Sequence, residues 1–399
     1  MALAAAAMSV PVGAAGLTGF VQARQVQRAQ SLPACGELTG CSAMAQELLG
    51  ELLYEHRFGQ QVSATARVEA YHDGAISQGA AHLREGFADW SPTSALNLKF
   101  GRQVLTWGVS DYLYVNDVFP KNYDAFFTGA GFDRMKEPVD AARLAFHATT
   151  ADFEAVLSRS KGDKMPNADR FVAMAMAKSA VADDSKNHGA DVALKASTHA
   201  AGWDVAAYGA SFESREERLY MGASGLRSDR PRTRHLGLSM TGNFAGGLVW
   251  GEAAVRTTHG NQSAVVSRQF LPSAFKLIGG YSREVGQEIT ASAQLQLEGP
   301  ASRSRYLDSL APGVRPLKPV TSTLHLRVQG RWINQTLGAG ALLFVSNEGD
   351  SHLNPFVSWS PADGWTFEGG ANVFNGKPDT RYGAFKDDSN VYVLGRFSF

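Results

Sequence analysis

Residues 391–399 have the sequence VYVLGRFSF, in which every second residue is apolar or glycine. One set is Val391, Val393, Gly395, Phe397 and Phe399; the other includes Tyr392, Leu394, Arg396 and Ser398. Such alternation predicts a β-strand with one face in an apolar environment. Because the strand reaches the last residue without a polar tail, we expect a neighbouring strand to pair its open edge.

The same alternation recurs along the chain and predicts about eighteen strands, within a range of about sixteen to eighteen. They are 17–29, 43–57, 60–72, 82–91, 95–107, 137–148, 151–159, 188–197, 201–213, 232–242, 245–257, 270–283, 287–298, 319–331, 335–346, 351–360, 364–374 and 390–399. Segments with a helical period are scarce, and the best of them is 170–177.

The connections between these strands alternate between short and long. Tight turns such as 58–59 and 361–363 are followed by longer, charge-rich connections such as 108–136 and 160–187, with 347–350 as a short exception. A transmembrane up-and-down β-barrel predicts this pattern, because its periplasmic turns are tight and its external loops are free to grow. We therefore predict an all-β, antiparallel transmembrane barrel with both termini on the periplasmic side.

Tryptophans and charged residues agree with this arrangement. Five tryptophans lie near the proposed tight turns, as expected for an interfacial girdle: Trp90, Trp203, Trp332, Trp359 and Trp365. The polar strand faces carry Arg24, Arg28, Arg67, Glu69, Arg84, Lys195, Glu252, Arg256, Gln294, Gln296, His325, Arg327 and Arg396. So much charge is tolerated only in a wet interior, which predicts a water-lined lumen.

Composition narrows the class of protein further. Lys plus Arg and Asp plus Glu are equal at 38 each, so no overall field attracts nucleic acid. No apolar run reaches the roughly 18 residues of a membrane-spanning helix. The small, apolar residues 1–14 resemble the end of a secretory signal peptide, which leaves 15–399 as a single barrel; the alternative is an Ala-rich tail.

Two cysteines, Cys35 and Cys41, are separated by a short segment that contains glycine. If the protein is exported, a disulfide between them is favoured; the alternative is two free thiols. Their spacing and the lack of a nearby histidine argue against a metal site. We expect neither a metal nor a cofactor.

A resemblance to a known family appears at residues 83–108. LREGFADW (83–90) and LKFGRQVLTWG (98–108) are similar to a hairpin of Gram-negative outer-membrane, porin-like barrels of largely unassigned function. The segment 111–120 matches the Asp-rich stretch that follows in that family, whereas 120–124 departs from it. The terminal Phe397 and Phe399 also resemble the signal that barrel assembly machinery recognises.

The resemblance implies that the long connection 108–136 folds into the lumen and narrows it. Asp111, Asp117, Asp124 and Asp133 would then face Arg84, Arg102 and Arg143 across the opening and sort solutes by charge; the alternative is a salt-bridged loop anchor without selectivity. Alternation would direct Arg102 into lipid, so its inward position requires a β-bulge at Gly101.

These features favour a bacterial outer-membrane channel for passive passage of small or amphipathic solutes, in contact with outer-membrane lipid. The first alternative is a structural sheath or docking barrel for a periplasmic partner, such as an electron carrier or exporter component. A hydrolase is the second alternative, but the ten histidines are scattered and no Gly-x-Ser-x-Gly or His-Glu-x-x-His motif occurs. We therefore predict no catalytic residues and no enzyme activity.

Overall fold

Eighteen antiparallel strands form one closed barrel in the computed structural model, which describes residues 16–32, 38–178, 182–183, 189–223, 225–260 and 263–399. The barrel strands are β1 (Leu17–Arg28), β2 (Ala43–Phe58), β3 (Val62–Asp73), β4 (Gln78–Thr93), β5 (Leu96–Gln103), β6 (Val139–His147), β7 (Asp152–Arg159), β9 (Ala190–Ala200), β10 (Trp203–Glu213), β13 (Arg232–Phe244), β14 (Gly247–Thr258), β15 (Ser273–Glu284), β16 (Ile289–Pro300), β17 (Thr321–Trp332), β18 (Leu337–Ser346), β19 (Ser351–Trp359), β20 (Trp365–Asn375) and β21 (Asn390–Ser398).

The loops contain the remaining elements. Three short strands, β8 (Ala182–Asp183), β11 (Arg218–Gly222) and β12 (Gly225–Asp229), form a separate sheet. The helices are α1 (Tyr123–Phe127), α2 (Val172–Lys178) and α3 (Arg303–Ser309), with 3-10 turns at Phe132–Met135 and Gly383–Asp388. Among the described residues no helix is both long and apolar enough to cross a membrane.

The barrel closes where its first and last strands pair. The neighbouring strand that was expected for the C-terminal strand is therefore β1. The register joins Phe20 to Ser398 and Arg28 to Asn390. Beyond it, the backbone of Phe399 exchanges two hydrogen bonds of 2.9 Å with Gly19. Both edges of every one of the eighteen barrel strands are therefore paired, as a membrane-spanning sheet requires.

The outer surface of the barrel is apolar. Phe100, Leu236 and Val393 are among many large apolar side chains that lie exposed on it. Their strand neighbours point inward, and several predicted lumen residues are buried there: Arg24, Arg28, Glu69, Arg84, Glu252, Gln294, Gln296 and His325. The predicted separation of the two faces is confirmed, and the C-terminal strand follows it, because Val391 is exposed and Tyr392 buried.

Most predicted strand bounds lie within three residues of the observed ones, and two differ by four residues. The connection expected over 73–81 is only four residues long, because β4 begins at Gln78. Strand β5 ends at Gln103, not at 107, because the chain there leaves the sheet and enters the lumen. A β-bulge does occur, but on β4, where the register with β3 shifts between Arg67 and Val68.

The predicted signal peptide and one cysteine of the predicted disulfide lie outside the described residues. Residues 1–14 and Cys35 are not among them. The Cys35–Cys41 bridge therefore stays a prediction.

Candidate functional site: the lumen and its inward loop

The connection between β5 and β6, residues 104–138, folds into the barrel; this segment is the lumen loop. Its Val115, Val118, Phe119 and Phe127 are buried although they lie in no strand. A loop can bury apolar side chains only if other residues cover them, and here the inner wall of the barrel does so. The loop expected over 108–136 is therefore an inward loop.

A set of aromatic and histidine rings on the inner wall packs against the part of the loop that contains Phe127. His325 stacks on Phe344 with ring centroids 4.4 Å apart, and His352 stacks on Phe374 at 4.6 Å. Phe127 of the loop packs edge-on against Phe374 at 5.1 Å. Apolar burial of this kind stabilises the inward position by roughly 1.5–3 kcal/mol per large side chain.

The opposite wall packs against the part of the loop that contains Trp107 and Phe119. Trp107 contacts Phe119 at a centroid distance of 5.1 Å and Tyr208 of β10 at 5.8 Å. Val156 of β7 belongs to the same buried cluster. The loop therefore spans the lumen from β7 and β10 on one side to β20 on the other.

Glu252 of β14 is the most heavily used polar anchor of the loop. One carboxylate oxygen accepts hydrogen bonds of 2.7 Å from the Val109 amide, the Ser110 amide and the Ser110 hydroxyl. The other accepts the Asn116 amide at 2.9 Å. Gly108 has a φ of 80°, and a Cβ there would lie 3.0 Å from this carboxylate, so glycine permits the close approach.

Wall side chains also hold the carbonyl groups of the loop. Arg256 donates to the Val115 carbonyl at 2.8 Å. Asn372 and Asn390 both donate to the Phe127 carbonyl, at 3.1 and 3.0 Å. These bonds satisfy backbone groups that would otherwise be buried without partners.

A buried charge network holds the last part of the loop. Arg134 lies between two wall carboxylates, with Glu69 at 2.7 Å and Glu51 at 3.6 Å. Arg84 lies 3.5 Å from Glu69 and donates to the Lys136 carbonyl at 3.1 Å. Arg84 reaches this network because it is the extra residue of the β4 bulge.

The four aspartates predicted at the opening occupy two different environments. Asp117 is buried and pairs with Lys121 at 3.1 Å, and Asp124 lies 3.9 Å from Arg170. Asp111 and Asp133 are 59% exposed and lie 3.7 Å from Arg327 and 3.9 Å from Arg396, respectively. None of these partners is Arg84, Arg102 or Arg143, the three arginines that were expected to face the aspartates.

The three predicted arginines are also in different places. Arg84 is buried at the loop anchor, whereas Arg143 lies on the inner wall near the tight turns, 2.6 Å from Glu154, which also binds Lys195 at 3.0 Å. The bulge expected at Gly101 does not occur: β5 keeps its register with β6 through this residue. Arg102 therefore faces outward with Asp140, 3.4 Å away, and does not turn into the lumen.

A second loop touches the lumen loop at a buried titratable cluster. The Asp163 carboxylate accepts the Lys121 amide at 2.8 Å. Burial raises the pKa of Asp163 to about 6 despite the charge of Lys121. Burial also lowers the pKa of Lys121, although Asp117 and Asp163 oppose this effect.

Sequence reasoning missed Arg134 and the anchoring roles of Glu252 and Arg256. Alternation placed the two strand residues in the lumen but could not name their partners, which are more than a hundred positions away. Arg134 lies in no strand and gave no periodic signal.

Solved structures with the same architecture are outer-membrane porins. OccAB4 of Acinetobacter baumannii has a TM-score of 0.60 and 10% identity, covering 96% of this chain and 97% of that one. Pseudomonas aeruginosa OccK2 (OpdF), solved in complex with glucuronate, gives 0.58, 9%, 96% and 97%, and P. aeruginosa OccK11 (OpdR) gives 0.54, 8%, 96% and 95%. No family model matches the sequence, and no curated protein matches it.

The fold and the lumen define a porin-type β-barrel, a class found in bacterial outer membranes. At about a tenth sequence identity, the likeness to the Occ structures is one of fold. The hairpin resemblance at 83–108 stays a prediction.

Proposed function

We propose that this protein is an outer-membrane channel through which small solutes diffuse passively, with the lumen loop limiting their passage. The observation that carries the proposal is the uneven burial of the inner wall. At the level of the loop its polar residues are buried, whereas towards the tight turns the carboxylate Glu154 and the cations Arg67, Arg143, Lys195 and Arg327 are partly exposed. Partly exposed charges of both signs line an aqueous path rather than a dry core.

The charges of this path would influence which ions pass. Arg143, Glu154 and Lys195 form one cluster on three adjacent strands, so changing any of them alters the field that permeating ions experience. The proposed function requires no covalent chemistry. Assembly would depend on recognition of Phe397 and Phe399 by the barrel assembly machinery.

Ion selectivity in planar lipid bilayers tests the proposal. Arg143→Gln should shift the reversal potential in a salt gradient towards cation selectivity, because a positive charge leaves the path. Glu154→Gln should shift it in the opposite direction. Arg102→Gln is the matched control, since it removes the same charge from the outward face and should leave selectivity unchanged.

Two results would contradict the proposal. The first is that reconstituted wild-type protein shows no conductance at all, and the second is that Arg143→Gln and Arg102→Gln change selectivity equally. The second result would mean that ions do not pass along the inner wall.

A further inference from the structure

Only two of the four aspartates of the lumen loop are open to the lumen, and they flank a pair of aromatic rings. Tyr112 and Phe132 lie 4.6 Å apart by ring centroid although they are far apart in sequence. Asp111 precedes the first ring and Asp133 follows the second, and both side chains are 59% exposed. Phe132 itself is 44% exposed, so part of its ring remains accessible to another molecule.

Each aspartate faces an arginine that a glutamine holds in place. Arg327 donates through Nε and Nη2 to the Gln329 side-chain oxygen at 3.1 and 2.6 Å. Arg396 donates in the same way to Gln22 at 2.9 and 2.7 Å. The same geometry therefore occurs twice, at Arg327 on β17 and at Arg396 on β21.

In both cases the remaining nitrogen, Nη1, points at an aspartate without reaching it. The Nη1–carboxylate distances are 3.7 Å to Asp111 and 3.9 Å to Asp133, beyond the length of a good hydrogen bond. Each guanidinium therefore keeps a donor edge, and each carboxylate keeps acceptor oxygens, for another molecule. The two arginines and two aspartates carry formal charges that cancel.

These features identify a class of ligand. A solute with one charge would be attracted by one member of each pair and repelled by the other. A hydroxyl group both donates and accepts, so it can bind an arginine and an aspartate together. A sugar ring also offers an apolar face that fits against the exposed side of an aromatic ring.

We propose that the ring patch, defined as Asp111, Tyr112, Phe132, Asp133, Arg327 and Arg396, binds small neutral polyhydroxylated solutes of monosaccharide size. The inference rests on the proposed channel function, since the patch would select the solute that the channel carries. It requires no conformational change, because the arginines are already fixed by Gln22 and Gln329.

Calorimetric binding of three isosteric sugars to detergent-purified protein tests this inference. Glucose is neutral, glucuronate carries a negative charge and glucosamine a positive one. We expect wild type to bind glucose most tightly. Arg327→Gln should weaken glucose binding about tenfold or more, as expected for losing a charged hydrogen bond, and Phe132→Ala should weaken it as well.

The charged sugars provide a readout that a purely structural role would not produce. Arg327→Gln leaves Asp111 uncompensated and should shift preference towards glucosamine, whereas Asp111→Asn should shift it towards glucuronate. Arg331→Gln is the matched control on the same strand and should behave like wild type. Heat-modifiable migration in gel electrophoresis checks that each barrel is folded.

The inference is overturned if wild type binds a charged sugar more tightly than glucose, or if no sugar binds saturably. It is also overturned if Arg327→Gln and Arg331→Gln have equal effects. Since binding is measured without conduction, a protein that binds glucose but never conducts would refute only the channel. One that conducts but does not bind would refute only the ring patch.

Discussion

Removal of the Glu252 carboxylate should release the first part of the lumen loop. Glu252→Ala deletes the acceptor of four hydrogen bonds from Val109, Ser110 and Asn116. The wall strand β14 should remain intact, because its own ladder with β13 and β15 does not involve this side chain.

The size of the effect follows from the donors left behind. A buried donor without an acceptor costs roughly 1–3 kcal/mol. The Ser110 hydroxyl keeps the Leu113 carbonyl as an acceptor at 2.9 Å, so three backbone amides lose theirs. Taking the lower value for these three donors gives about 3 kcal/mol, and since about 1.4 kcal/mol is a factor of ten, local opening should increase roughly 100-fold. Glu252→Gln keeps one carbonyl oxygen, so we expect an intermediate increase.

Amide hydrogen exchange measures this opening directly. The amides of Val109, Ser110 and Asn116 should lose protection in Glu252→Ala, while amides of the neighbouring strands keep theirs. Bilayer recordings of the same variant should show larger or more frequent open events, because part of the loop leaves the lumen.

Glu154→Ala is the control for this experiment. It also removes an inward carboxylate, but Glu154 binds Arg143 and Lys195 of the wall and not the loop. Its loop amides should exchange as in wild type. Unchanged protection in Glu252→Ala would refute the anchoring role of this residue, and equal loss in both variants would show a general loosening of the barrel.

Three further predictions concern the closing contact between β1 and β21, the buried charges, and the dependence of stability on pH. Phe399→Asp places a charge at the closing pair and should abolish the folded, heat-modifiable form, whereas Phe399→Trp should assemble; normal insertion of the Asp variant would disprove this. Arg134→Met removes the partner that Glu51 and Glu69 share, while Arg67 and Arg84 stay 3.8 and 3.5 Å from these carboxylates, so it should destabilise the barrel by about 1.5–3 kcal/mol in thermal unfolding, with partial recovery in Arg134→Lys; an unchanged melting temperature would contradict it. Because the pKa of Asp163 is raised from 3.8 to about 6 in the folded protein, its favourable contribution is complete below about 3.8 and is lost as pH rises through about 6. The stability of wild type relative to Asp163→Asn should therefore increase on acidification from neutral pH, and a pH-independent difference would exclude this role.

The pattern of inward and outward residues could be predicted from the sequence with few errors. Along β21, period-two alternation alone places Val393 outward and Tyr392 inward, and the structure agrees. Arg102 shows where a correction to that pattern failed. The alternation placed it outward, and the proposed bulge moved it inward; the structure keeps it outward because Asp140 on the next strand pairs with it there.

The sequence by itself determined the strands and their faces, because these depend on neighbours two residues apart. The inward course of the long connection was expected only from the family resemblance. Only the tertiary structure decided which loop residues meet which wall residues. Asp111 finds Arg327, and Asn116 finds Glu252, only after the barrel has closed and brought distant strands around one loop. Charge alone allowed many pairings, and the circumference and register of the closed sheet selected among them.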